Sequence, residues 1–273
     1  MRKVLLFLLF ASWLSACNHR HEEFPSLFWD SIALHDSVLL PDSLLDKGLQ
    51  QAIEADDSLH ISLIYFFKGK KLHQDFFLLR AQECYEKARQ YLPTPSPSRL
   101  QMELDIAQAD FCRFNHFASQ ETRLLNKALD KALQEQDSLM LVRIGLIRSS
   151  RFKSKKEFDQ ALAELRMADR YAASLSIEKQ AELQAEMAVV HLYMEQPDSA
   201  LADIERAIAT SAGRQNFYRT FCKGIQFHIA HNDSAHYYFR QIAEKYPLSR
   251  KTDAYRYMSE ALYHRGESLK AFD

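Results

Sequence analysis

Ala161-Leu162-Ala163-Glu164-Leu165-Arg166-Met167-Ala168 decides the fold. Ala161, Leu165 and Ala168 stand at offsets of zero, four and seven, which fall on one face of an α-helix. The same spacing returns as Ala81, Tyr85, Ala88 and as Ala200, Ile204, Ala207. Ala235, Phe239, Ile242 keeps it with a larger last residue, and Glu121, Leu125, Ala128 with a changed first one. The starts at 81, 121, 161, 200, 235 and, less completely, Ala271 are 40, 40, 39, 35 and 36 residues apart. Such a period marks an array of helical hairpins, each too small to bury its apolar face without a neighbour.

Landmarks flank each stripe. Twelve residues before a start, where a partner helix must come close, stand Gly69, Ala109, Ser149, Ala188 and Ser259. Lys223 breaks the series beside Gly224, which predicts a one-residue slip there. Twelve residues after a start, Pro93 and Pro247 mark helix ends, because proline cannot continue a helix. Short polar turns are expected at Asn115–Ser119, Ser154–Glu157, Glu195–Ser199, His231–Ser234 and Arg265–Ser268. Pro197 suits a first helical position, and Asp198-Ser199 and Asp233-Ser234 offer capping oxygens. Asp42-Ser43 predicts a cap for a helix running to about Ala55, and Leu92-Pro93-Thr94-Pro95-Ser96-Pro97 a stiff extended connector.

Composition agrees. Six glycines in 273 residues leave few positions suited to positive φ, so hairpin-rich β folds are excluded and an all-α chain is expected. Lys+Arg 35 against Asp+Glu 36 carries no general nucleic-acid footprint, and a 47% hydrophobic share suits a packed protein.

The stripe, the small residue before it and the closing proline together resemble the tetratricopeptide repeat (TPR), over roughly residues 57–273. The leading tryptophan of that family is absent, with Tyr65, Tyr255 and Gln184 at its place. The resemblance implies an all-α, right-handed superhelical α-solenoid of TPR-like helix pairs, whose first helices line a concave binding groove. Gly266–Asp273 reads as the start of a second helix, leaving the last repeat incomplete.

The N-terminus reads as an address. Arg2 and Lys3 precede an apolar run from Val4 to Trp13, too short to span a bilayer and matching a signal-peptide core. Leu14-Ser15-Ala16-Cys17 resembles the bacterial lipobox, which implies removal of residues 1–16 and acylation of Cys17. Residues 17–41 then form a lipid-anchored tether and 42–273 the repeat domain. Asn18 rather than Asp follows the cysteine, which favours the outer membrane. The acidic pair Glu22-Glu23 faintly resembles surface-export signals. Cys84, Cys112 and Cys222 remain, either as buried small hydrophobes or with a Cys84–Cys112 bridge.

Chemistry-bearing motifs are missing. There is no GxSxG, GxGxxG, Walker GK[ST], HExxH or CxxC, so no enzyme and no cofactor are expected. His228, His231 and His236 lack a carboxylate or thiolate at ligand spacing, so no metal is assigned to them. The basic run Arg143, Arg148, Arg151, Lys153, Lys155 and Lys156 covers the end of one first helix. Arg148, Arg151 and Lys153, followed by Tyr193 at the end of the next first helix, form the candidate partner-binding group for an acidic or carboxylate-terminated peptide. Aromatics from Phe217 to Tyr263 add interface chemistry to the C-terminal third.

The leading expectation is a membrane-tethered scaffold binding a protein or peptide partner of the cell envelope, with the bilayer engaged through the acyl anchor and no nucleic acid. Two alternatives remain: the periplasmic sensor portion of a membrane-spanning TPR regulator, and a glycan-capturing outer-membrane lipoprotein of the starch-utilisation type.

Overall fold

The computed structural model describes residues 42–213, 216–230, 232 and 234–245. Every regular element among them is an α-helix. In chain order these are α1 (Asp42–Glu54), α2 (Ser58–Gln74), α3 (Leu78–Gln90), α4 (Ser98–Phe114), α5 (Ala118–Gln134), α6 (Ser138–Ser154), α7 (Phe158–Ala172), α8 (Ile177–Tyr193), α9 (Pro197–Thr210), α10 (Phe217–Ile229) and α11 (Ser234–Lys245). The chain forms two compact units, one ending at Lys131 and the other beginning at Ala132. The division falls inside α5, not at the proline-rich connector.

The stripe register holds in all five hairpins described. The first positions Ala81, Glu121, Ala161, Ala200 and Ala235 are buried, as are Tyr85, Leu125, Leu165, Ile204 and Phe239 four residues on. So are Ala88, Ala128, Ala168, Ala207 and Ile242 at the third position. The stripes of α3, α7 and α9 each pack against their own first helix and the first helix of the next hairpin. In unit 1, Ala81, Tyr85 and Ala88 of α3 share a core with Leu63 and Phe66 of α2 and Leu100 and Leu104 of α4. In unit 2, Ala161, Leu165 and Ala168 of α7 lie between Val142 of α6 and Leu183, Met187 and Val190 of α8. Ile204 and Ala207 of α9 likewise meet Ala188 of α8 and Phe221 and Ile225 of α10.

The small-residue positions admit this packing by volume. A β-carbon on Gly69 would fall 2.5 Å from Tyr85 Cε1, and one on Gly224 2.5 Å from Phe239 Cε1. The structure thus places Gly224, not Lys223, against the stripe, which is the one-residue slip. Where the facing stripe residue is Leu125, Leu165 or Ile204, the equivalent positions carry Ala109, Ser149 and Ala188, all buried. Smaller aliphatic side chains leave room for a β-carbon that an aromatic ring does not. Gly145 is a second close approach in α6, where a β-carbon would lie 2.8 Å from that of Ala168.

Turns are closed by the backbone. Asp56, Phe76, His116, Gln136, Lys156 and Glu195 all take positive φ, between 51° and 63°. At the α2–α3 turn, Phe77 N–H donates to Leu72 C=O at 2.8 Å and Phe76 N–H to His73 C=O at 3.1 Å. Phe117 with Cys112, Asp137 with Ala132, Glu157 with Phe152, and Gln196 with His191 repeat the first of these bonds, each reaching back five residues, at 2.8 to 3.0 Å. This is the Schellman closure, which satisfies the last helical carbonyls and places its left-handed residue just past the helix. No β-strand occurs among the described residues, yet the chain still uses left-handed turns, built with residues bulkier than glycine.

Caps differ in detail from the sequence reading. Asp57, Asp137, Ser176 and Asn216 accept from backbone N–H groups three residues on, capping α2, α6, α8 and α10. Pro197 does open α9, but Asp198 and Ser199 lie within its first turn and Gln196 holds the cap position without a side-chain bond. Asp233, His231, Pro247, Ser259, Tyr255, Tyr257, Tyr263, Arg265–Ser268, Ala271 and the incomplete last repeat lie outside the described residues, as do residues 1–41 with Cys17. No described helix is long and apolar enough to cross a membrane.

Candidate functional site

In unit 2 the first helices α6, α8 and α10 neighbour one another, and side chains bridge them. Lys153, near the end of α6, pairs with Glu186 of α8. Glu178, Glu182 and Glu186 recur every fourth residue and form one acidic stripe along α8. Lys179 pairs with Glu182 at 2.6 Å. Tyr218 of α10 shares a hydrogen bond with Glu182, and burial, reinforced by Glu182, raises its phenol well above the ordinary range. The surface is a ladder of three carboxylates met by two ammonium groups, with Lys153 at one end and the Tyr218 phenol at the other.

The four residues expected to bind a partner are not assembled into one open cradle. Arg148 points to the second helix of its own hairpin and pairs with Glu164 of α7 at 2.9 Å. Burial raises the Glu164 carboxyl above its usual range while Arg148 opposes that shift, so the guanidinium's first task is to hold this carboxylate. Lys153 is engaged by Glu186. Tyr193 is stacked on Phe158, with centroids 5.3 Å apart and planes 2° from parallel, and remains 39% exposed. Arg151, in the last turn of α6, is half-buried. Lys153 and the outer face of Tyr193 belong to the end of this face, whereas Arg148 belongs to the hairpin interior.

Two arrangements escaped the sequence reading. His191 Nδ1 lies 2.7 Å from Asp203 Oδ2, joining α8 to α9 as a buried pair, and Arg206 closes on the other carboxylate oxygen. The two residues are twelve apart with no motif between them, so only the hairpin brings them together. In unit 1, Asp105 of α4 is 1% exposed and is held by Arg89 of α3 at 2.7 Å and Lys127 of α5 at 3.1 Å. The acidic stripe of α8 also went unread, although its signal, glutamate at 178, 182 and 186, stands in the sequence.

Cys84, Cys112 and Cys222 are free thiols, so the Cys84–Cys112 bridge is not formed. Cys84 is half-buried on α3 and Cys112 buried on α4. Burial raises all three thiols, and with Asp203 and Glu186 adding to it Cys222 is pushed up to about 12. A protonated thiol near the His191–Asp203 pair is not an activated nucleophile. No group of three metal-ligating side chains converges among the described residues.

An array of helix hairpins with this stripe register is an all-α solenoid of TPR-like pairs. No protein-family model and no curated protein matches the chain. Among solved structures it is similar to pilF of Pseudomonas aeruginosa, a TPR-containing protein. The likeness covers 79% of this chain and 89% of that one, with a TM-score of 0.52 and 15% identity. At that identity it speaks to the fold alone.

Proposed function

We propose that the chain is a non-enzymatic scaffold of the cell envelope, held on the outer membrane through acylated Cys17, that binds a protein or peptide segment along the α6–α8–α10 face. The observation that carries the reading is the ladder of Lys153, Glu186, Glu182 and Tyr218, in which polar groups of three consecutive first helices meet on one surface. A partner with alternating charge exchanges these internal contacts for its own. A carboxylate engages Lys153 and Arg151, a cation takes the α8 glutamates, and an apolar side chain rests on Tyr193. Arg148 takes no part, because its partner is Glu164.

Capture from envelope extract tests this, comparing wild type with Arg151→Glu/Lys153→Glu and with Glu182→Gln/Glu186→Gln. The expected result is one partner lost from both variants and released by added salt, since exposed pairs are screened. Recovery of the same proteins from all three chains, with helicity intact, would refute the face. The anchor is tested separately: fatty-acid labelling should mark wild type and not Cys17→Ala.

A further inference from the structure

The end of unit 1 at which α1 begins carries four of the five exposed aromatic residues described in that unit. Lys71, in the last turn of α2, pairs at 2.7 Å with Asp42, the first residue of α1. That bond sets the start of α1 beside the α2–α3 turn. The His73 ring meets the Phe114 ring edge-on at 5.8 Å, so the α4–α5 turn lies alongside. At this edge Phe76 is 78% exposed, Leu79 71%, Phe77 54%, Phe117 53% and Phe114 44%.

The repeat does not require these residues. Equivalent turn positions in unit 2 hold Lys156-Glu157 and Glu195-Gln196 where unit 1 has Phe76-Phe77 and His116-Phe117. Phe76 also takes φ 63°, where a bulky side chain is conformationally disfavoured, so both backbone and solvent count against it. The turn Asn115–Ser119, polar on the sequence reading, presents Phe117 instead. Arg113 stands over the Phe114 ring at 4.9 Å and is itself exposed. Aromatic rings with a cation beside them are the chemistry of a membrane–water interface.

We propose that this edge, formed by Phe76, Phe77, Leu79, Phe114 and Phe117 with Arg113, seats on the lipid bilayer surface. A lipid surface is the occupant because the segment leading back to Cys17 departs from the same edge. The acyl anchor therefore delivers these rings to the membrane at high effective concentration. In this respect the inference rests on the proposed anchoring. It adds a second point of attachment to the acyl anchor and fixes which end of unit 1 faces the lipid.

The test uses the full chain carrying Phe76→Trp with Trp13→Phe and Trp29→Phe, on vesicles of phosphatidylethanolamine with a minor share of phosphatidylglycerol. Brominated acyl chains should remove most of the indole emission, and Phe77→Ser/Phe117→Ser in the same background should restore it. An unquenched indole on protein that floats with the vesicles overturns the proposal. So does emission that responds to protein concentration, which means a second copy, or only to envelope extract, which means a protein partner. If fatty-acid labelling shows Cys17 unmodified, the anchor fails on its own. Vesicle sedimentation then decides the edge: wild type should pellet and Phe77→Ser/Phe117→Ser should not, and wild type left in solution overturns it.

Discussion

Gly69 lies under the ring of Tyr85 so closely that a β-carbon would stand 2.5 Å from Cε1 and 2.6 Å from Cδ1. Phe239 covers Gly224 in the same way. Gly69→Ala should therefore destabilise the chain by about 1–3 kcal/mol, although alanine is the better helix former. Gly69→Ala/Tyr85→Leu, which copies the Ala109/Leu125 combination, should recover part of that loss. Gly48 provides the contrast: a β-carbon there meets only Ile64 Cδ1 at 3.4 Å, so Gly48→Ala should stabilise by roughly 0.5–1 kcal/mol. Urea midpoints of the four chains decide the matter, and equal midpoints for Gly69→Ala and wild type would contradict the packing.

Phe76→Gly should raise stability by about 1 kcal/mol, because glycine takes φ 63° without the clash that a β-carbon suffers. The gain should survive in Phe76→Asn at smaller size. A lowered thermal midpoint for the glycine variant would mean that the exposed ring contributes packing that its 78% exposure denies.

Burial lowers the His73 imidazole below its ordinary value, with Asp110 opposing and Arg113 adding to the shift. Between the lowered folded value and about 6.5 the unfolded chain binds the extra proton. The stability this residue contributes is thus present above about 6.5 and is lost as pH falls through that window. His73→Gln should show a flatter dependence of thermal midpoint on pH between about 5 and 8 than wild type. Parallel curves would remove His73 from the account.

Arg148→Met should cost about 1–3 kcal/mol, since it leaves the half-buried Glu164 carboxyl without its cation. Partner capture by that variant should be unchanged once it is folded, which separates a hairpin-building residue from a binding one.

Cys222 should resist alkylation in the native chain at neutral pH, because burial and nearby carboxylates keep it protonated. Peptide mapping after a brief iodoacetamide pulse should find Cys84 labelled first. Rapid labelling of Cys222 would indicate that α10 opens readily from α11.

Much of the fold was legible because it is periodic. Ala161, Leu165 and Ala168 state a helix face, and their return at near-constant intervals states what that face packs against. Gly224 shows why a break in the series was informative: the slip from Lys223 was visible before any coordinate. The candidate site was less legible. Arg148, Arg151 and Lys153 look alike in a basic run, but successive helical residues point in different directions, and only the hairpin turns Arg148 inward to Glu164. His191 and Asp203 had no local signature at all, since their contact depends on how α8 and α9 fold together.

The six non-glycine left-handed turn residues among those described are Asp, Phe, His, Gln, Lys and Glu, no two alike. Main-chain bonds close those turns, so side-chain identity there is released from the task of building the hairpin. Each turn is then a port whose lettering can be rewritten while the frame stands. Swapping Phe76-Phe77 with Lys156-Glu157 would carry two of the five apolar residues of that edge from one unit to the other and leave the helices in place. An engineer could use the same positions to mount dyes, crosslinkers or charge at regular intervals along the chain.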